Sequence, residues 1–329
     1  MMLNLKRSVT RLLDATGAFA FSRHVLPSWP RILMYHQFCR TGEELPDGTS
    51  ADVFRQHLEH IARHYRPMRL QELAEAMAAR RPIPPRSVAL TVDDGHTGFL
   101  RYAVPLLEEF QIPATLFVVS DATGERSEEC GWLWTDRFMY TCRMAGTPPF
   151  SSAAATEAAL AALKHTPPAE RERRLGELAQ RADVEVPTTP PPPYDLLSWS
   201  ELRKLSASPL FDIGSHTRTH ATLCTVDDDQ SWEEINGSRR ELESRLDAPV
   251  TSFCYPNGSA SDYRPQHAAM VAKAGYSCAT ATQFGCVRDH SDRFALPRIA
   301  CHAGDIARFH KAVDGFELLQ RRLRGEPCC

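Results

Sequence analysis

The chain has 329 residues, of which 43% are hydrophobic and 24% charged, with a formal net charge of −3. That balance suits a globular protein and argues against a disordered chain or a nucleic-acid-binding one. No stretch approaches the roughly 20 apolar residues of a membrane-spanning helix, and no apolar leader of ~7–15 residues follows Lys6 and Arg7.

Residues 1–30 read as a helical extension. Leu5, Val9, Leu12 and Leu13 fall on one helical stripe with Lys6, Arg7 and Arg11 elsewhere, a pattern that packs on its own domain or lies on a membrane surface. From 31 to 325, strand and helix signals alternate as a parallel barrel requires, and the length fits one barrel of roughly 250 residues carrying an insertion. The expected fold is therefore a distorted (β/α) barrel of about seven parallel strands with a helical insertion. Residues 32–35 form the first strand. Phe54, Leu58, Ile61 and Tyr65 then recur at helical spacing, and a second helix is expected over 70–79. Residues 87–92 are short, apolar and β-branched, the mark of a buried strand. A helix over 98–110, kinked or shortened by Pro105, and a strand over 114–119 follow.

Residues 121–196 break the alternation. Trp132, Trp134, Phe138, Met139 and Met144, then alanine-rich and Arg/Glu-rich segments, predict a small helical insertion, and Pro190 to Pro193 a stiff polyproline return. Insertions at this rim often become lids. Trp132 and Trp134 offer faces for stacking on a sugar, although buried packing is the commoner fate. Ser198 caps a helix, 210–214 is a strand ending in glycine, and a helix spans 232–246. Strands over 251–255, 277–282 and 296–299 and one C-terminal helix over 305–323 complete the pattern.

Two clusters far apart in the chain, Thr91-Val92-Asp93-Asp94-Gly95 and Ser215-His216-Thr217-Arg218-Thr219-His220, follow the C-terminal ends of predicted strands. That is the rim where α/β barrels place their chemistry. Each alone is ordinary: Asp-Asp-Gly is a turn signal, and two histidines four apart occur on many helix surfaces. Together they hold a carboxylate and two imidazoles, three ligands for a divalent ion with a position left open, as in catalytic rather than structural zinc sites. Asp93 is then a spare carboxylate and a natural proton acceptor.

These residues resemble the motifs of the NodB-homology polysaccharide deacetylases, also called carbohydrate esterase family 4. Thr91 to Gly95 matches that family's Thr-Phe-Asp-Asp-Gly with Val92 in the Phe place, and His216 and His220 match its histidine pair. Phe253-Cys254-Tyr255-Pro256-Asn257-Gly258 looks like a Tyr-Pro-x-Gly third motif, and Tyr35-His36 like the first strand of the same branch. The resemblance covers most of 31–310 apart from the insertion. It implies that Asp94, His216 and His220 bind a divalent metal, zinc in first place, and that Asp93 is the general base. His36 is the implied general acid, with His302 as its rival, since the C-terminal Leu-x-x-His of many relatives is not recognisable. Cys254 stands where members with the other third motif carry an Arg that orients the catalytic Asp. Arg298 is the candidate for that role, its fork suited to holding Asp93 bidentately and ionised. Tyr255, Asn257 and Gly258 form the implied substrate and oxyanion turn.

By the same resemblance the expected activity is metal-dependent removal of N-acetyl groups from an amino sugar in a polysaccharide, oligosaccharide or glycan precursor. The implied partner is an N-acetylated carbohydrate, with no nucleic acid. An amidohydrolase of the same architecture acting on a formyl group, a cyclic amide or a lipid-linked sugar, or a non-catalytic carbohydrate-binding relative, are the alternatives, because selectivity resides in loops rather than in the metal triad. The ten cysteines include no CxxC pair and read as thiols of a reducing compartment. The expected location is cytoplasmic, with peripheral membrane contact through the N-terminal helix as an option. Cys254 and Cys301 read as small buried side chains, or else as oxidation-sensitive thiols.

Overall fold

The computed structural model describes the chain except for residues 1, 44, 46–47, 302–304 and 327–329. Seven strands form the barrel: β1 (Arg31–Tyr35), β2 (Ser87–Val92), β3 (Ala114–Val118), β4 (Phe211–Ser215), β5 (Ser252–Cys254), β6 (Cys278–Phe284) and β7 (Leu296–Ala300). All pairs are parallel and follow chain order, and β7 returns to β1, so the sheet closes. Leu33 is level with both Leu90 of β2 and Ile299 of β7. Closure leaves no unpaired barrel edge. The expected seven-stranded parallel barrel is what forms.

Alternation along β2 decides what faces the lumen. Val88, Leu90 and Val92 join the large core between barrel and helices, so Ala89, Thr91 and Asp93 point inward. Ala89 packs there with Ile32, Phe117, Cys254, Cys278 and Leu296, and the helix Leu70–Ala78 adds Leu70, Leu73 and Ala74 to the same cluster. Gly214 makes room for this filling. A Cβ on it would lie 2.5 Å from the Phe117 ring and 2.7 Å from Ser252 Oγ.

The outer layer departs from expectation in places. The single C-terminal helix is two, Ile306–Val313 and Phe316–Leu323, broken where Gly315 takes φ +88°. The break turns Asp314 inward, where it accepts hydrogen bonds from Arg23 and Tyr65 and pairs with His60. Pro105 marks a shortened helix: the α-helix covers only Val104–Phe110, after a π-helical turn at Phe99–Ala103. It sits in the first turn of Val104–Phe110, where a missing N–H costs nothing. A helix over Pro265–Lys273 and a short ladder of Gln37–Cys39 with Gly48–Ser50 were not legible in the pattern.

Between β3 and β4 the helices Trp134–Met144, Ala153–Lys164 and Pro168–Arg181 gather around a small core of Trp134, Phe138, Leu163, Leu175 and Leu178. The N-terminal helices Met2–Ala15 and Ala18–Val25 dock on the C-terminal pair through Arg11–Asp305 at 3.0 Å and Phe19–Phe316 at 5.0 Å. Val9 and Leu12 of the apolar stripe stay exposed. Among the described residues no helix is long and apolar enough to cross a membrane.

Candidate active site

Thr91 and Asp93, two residues apart on the lumen face of β2, meet Arg298 from β7. Arg298 Nη1 donates to Asp93 Oδ1 and Nη2 to Oδ2, both at 2.7 Å, while Nη1 also reaches Thr91 Oγ1 at 3.0 Å and Nε donates to Ala281 O at 2.9 Å. Both partners are buried. Burial alone would raise the Asp93 pKa, but the charge and hydrogen bonds of Arg298 outweigh it and hold the carboxyl below its usual range. Charge-assisted bidentate pairs of this kind are among the strongest that side chains form.

One residue on, the chain turns. Asp94 takes φ +77° and Gly95 φ +86°, and across the rim Thr217 and His220 take φ +67° and +57°. Left-handed non-glycine residues concentrate where the surroundings over-determine them, often at functional sites. The result brings Asp94 Oδ1 within 3.4 Å of both His216 Nε2 and His220 Nε2. Two donors each ~2 Å from one tetrahedral ion stand about 3.3 Å apart, so the triangle fits a zinc-like cation. His216 Nδ1 donates to Cys254 O at 2.8 Å, which leaves Nε2 with its lone pair. Asp94 Oδ1 is buried without a hydrogen bond. Asp93, His216 and Cys254 form a second close group, but with both Asp93 oxygens held by a guanidinium that cluster repels a cation. The residues therefore suit an ion at Asp94, His216 and His220.

The triad lies in a cleft of about 340 Å³. The barrel contributes His36, Asp93 and Asn257; the segment between β3 and β4 contributes Thr135, Asp136, Met139, Leu160, Lys164 and Tyr194, one wall of the cleft. His36 Nε2 stands 3.7 Å from Asp93 Oδ2, its side chain 37% exposed. His302 lies outside the described residues.

Of the turn after β5, only Asn257 faces the cleft. Tyr255 is buried, stacked on Tyr263 at 4.0 Å with its hydroxyl donating to Phe294 O. Its backbone N–H goes to Thr280 O, and that of Gly258 to Pro256 O. Tyr255 and Gly258 thus build the turn without offering donors, while Asn257 Nδ2 donates to Thr222 Oγ1 at 2.9 Å and ties it to the histidine loop. The tryptophans pack too. Trp134 Nε1 donates to His220 O at 3.0 Å from beneath Arg171, and Trp132 donates to Pro187 O beside Tyr140 and Tyr194. Neither lines the cleft.

One contact was invisible beforehand. His96, next after the Asp-Asp-Gly turn, is buried against Asp136 of the inserted helix at 2.8 Å and Gln37 at 3.0 Å. Burial lowers the His96 pKa, but Asp136 more than compensates and holds it above the ordinary value. Its place beside the turn was a hint; Asp136, forty positions away, gave none. Cys254 Sγ lies 3.2 Å from Arg298 Nη2, and burial pushes the Cys301 thiol up to about 12, which favours the inert reading of Cys301 over oxidation.

A family model described as polysaccharide deacetylase matches residues 80–279, more than half of the chain. Over 50 residues the chain is 38% identical to a poly-beta-1,6-N-acetyl-D-glucosamine N-deacetylase of Escherichia coli K12, a stretch spanning 15% of this chain and 7% of that protein. IcaB from Ammonifex degensii superposes with a TM-score of 0.58 at 17% identity, covering 87% of this chain and 98% of that one. The Streptococcus pyogenes deacetylase PplD, solved with acetate, gives 0.56 at 18%, covering 84% and 94%. At those identities the two structures show a common fold.

Proposed function

The chain belongs to the polysaccharide deacetylase family, and we propose that it is a metal-dependent hydrolase that removes N-acetyl groups from amino sugars of a polysaccharide or oligosaccharide. What supports this reading is a pair of adjacent carboxylates in different surroundings: Asp94 in a 3.4 Å triangle with two imidazoles, and Asp93 clamped by Arg298 outside it. Two acids with distinct neighbours can take distinct roles in one reaction.

A divalent ion held by Asp94, His216 and His220, zinc being the one this donor set suits best, supplies Lewis acidity toward water and the amide carbonyl. The protein's own groups do the rest. Asp93, kept ionised by Arg298, takes the proton of the attacking water. The backbone N–H of Asn257 in the cleft wall meets the developing oxyanion, a preorganised donor of a kind worth about 2.7–4 kcal/mol. His36, partly exposed and close to Asp93, gives a proton to the departing amine as general acid. Acetate and an amino sugar result. The wall formed by Asp136, Met139 and Lys164 narrows the approach, so a single extended glycan strand fits better than a bulky substrate.

The test is acetate release from N-acetylglucosamine oligomers of β-1,6 and β-1,4 linkage, with and without chelator. We expect turnover that chelation abolishes and added zinc restores. Turnover indifferent to chelator, or none on any N-acetylated glycan, refutes the proposal.

A further inference from the structure

The opposite end of the barrel, where the strands begin, carries a charge distribution that the catalytic reading leaves unused. A cleft of about 770 Å³ beside the start of β2 is lined by Arg23, His24, Arg63, His64, Arg66 and Arg86, with no acidic side chain in its wall. Arg23 is buried and pairs with Asp314 through Nη1 alone; its Nε has no partner. Arg63 and Arg66 are exposed and make no ion pair among the described residues. His64 reports the field. Burial, then Arg23 and His60, then Arg63 depress it to about 4.

An adjoining cleft of about 1030 Å³ shares Pro27, Ser28 and Pro85 with the first and adds Arg80, Arg81, Arg288 and Arg293 against one acid, Asp289. Arg288 Nε and Nη2 are buried without partners, while Arg288 and Arg322 lie over the Trp29 ring at 4.7 and 5.0 Å. In a chain of net charge −3 this is a marked segregation. Exposed apolar side chains accompany it: Phe21 (67%) and Val25 (56%) on the helix that carries Arg23, and Leu323 (80%) next to Arg322.

We propose that this base docks on an anionic phospholipid bilayer, lipid phosphates seating among Arg63, Arg66 and Arg86 while Phe21 and Val25 enter the interface. The pairing of charges with apolar tips selects the occupant. A nucleic acid would satisfy the arginines but leave Phe21, Val25 and Leu323 in water, whereas an anionic bilayer takes both. Docking by this end turns the catalytic cleft, at the other end of the strands, away from the lipid and toward a glycan in solution. The inference stands apart from the proposed activity.

The test is sedimentation of the full chain with vesicles of phosphatidylglycerol mixed with phosphatidylcholine, against vesicles of phosphatidylcholine alone. We expect binding only to the anionic vesicles, weakened by salt. Arg63→Glu with Arg66→Glu, both on exposed side chains, should lower partitioning at least tenfold, and Phe21→Ser should lower it further. Arg80→Glu with Arg81→Glu, in the adjoining cleft, is a second independent pair. Acetate release from a soluble oligosaccharide should be unchanged in all of them. Equal binding to neutral vesicles, binding unaffected by both charge reversals, or binding of an RNA oligonucleotide or inorganic phosphate without vesicle binding overturns the proposal.

Discussion

Replacing Arg298 with Met is the sharpest test of how the lumen is built. Met fills much of the same volume but removes the two 2.7 Å bonds to Asp93 and the 3.0 Å bond to Thr91. Asp93 is then a buried carboxylate without its partner, and breaking such a pair costs about 3–5 kcal/mol against a total stability of order 5–15 kcal/mol. At roughly 2–4 °C per kcal/mol for a chain of this size class, Tm should fall by about 10 °C at pH 7. The sign with pH follows from the Asp93 pKa. In the native protein Arg298 holds it below its unfolded value of about 3.9, so its stabilisation is complete above that value and is lost as pH falls through the depressed native pKa. In the variant, burial raises the pKa against only the weaker pull of His36 and His216, so ionisation destabilises as pH rises past about 3.9. Both effects widen the gap between the two proteins from pH 3 upward. Thermal melts of both proteins from pH 3 to 8, with chelator present so that ion binding does not enter, decide the matter. A gap in Tm that does not change with pH refutes the assignment of Arg298 as the group holding Asp93 ionised.

Asp93→Asn should keep its metal and lose deacetylation by about 10²–10⁴-fold, whereas His216→Ala should lose both; metal analysis of the purified variants checks this, and equal metal content in the two refutes the division of roles. His36→Ala should lower kcat more than His302→Ala does, read from acetate release, with the reverse order moving the acid to the other histidine. Gly214→Ala forces a Cβ to 2.5 Å from the Phe117 ring, and overpacking of that kind costs about 1–3 kcal/mol; because the strain sits two residues before His216, zinc affinity measured by competition with a chelating dye should weaken as well. Asp136→Ala removes the buried bond that joins the inserted helix to His96 and should quicken proteolysis between residues 145 and 152; cleavage at the native rate would mean that Asp136 does not hold the insertion in place.

The barrel was legible because each strand is short, apolar and followed by turn residues, and the meeting of Asp94 with His216 and His220 because they follow two such strands. Arg298 could be named as the partner of Asp93 only through the family resemblance, in which Cys254 occupies the place of an arginine, and the structure puts it there. What failed to show shares one cause: it depends on contacts between residues distant in the chain. The break at Gly315 exists because Asp314 is wanted by Arg23, His60 and Tyr65, and periodicity over 305–323 says nothing of that. Trp132 and Trp134 carry the same local signal whether they face a sugar or a protein core, and only the helix packing that places Trp134 under His220 O decides between them. Tyr255 and Gly258 match a motif, yet their N–H groups are spent on making the turn.

The proposed chemistry turns on the contrast between Asp93 and Asp94, and backbone geometry explains that contrast. Successive side chains on a strand point to opposite faces, so Asp93 follows Ala89 and Thr91 into the lumen, where Arg298 is waiting. Had β2 continued, Asp94 would have pointed outward into the apolar layer with Val88, Leu90 and Val92, where a carboxylate is costly. The left-handed turn at Asp94, made easier by Gly95 in the same region, swings it instead along the rim to His216 and His220. One reversal of the chain thus separates two identical side chains, one clamped by a guanidinium and one set between two imidazoles.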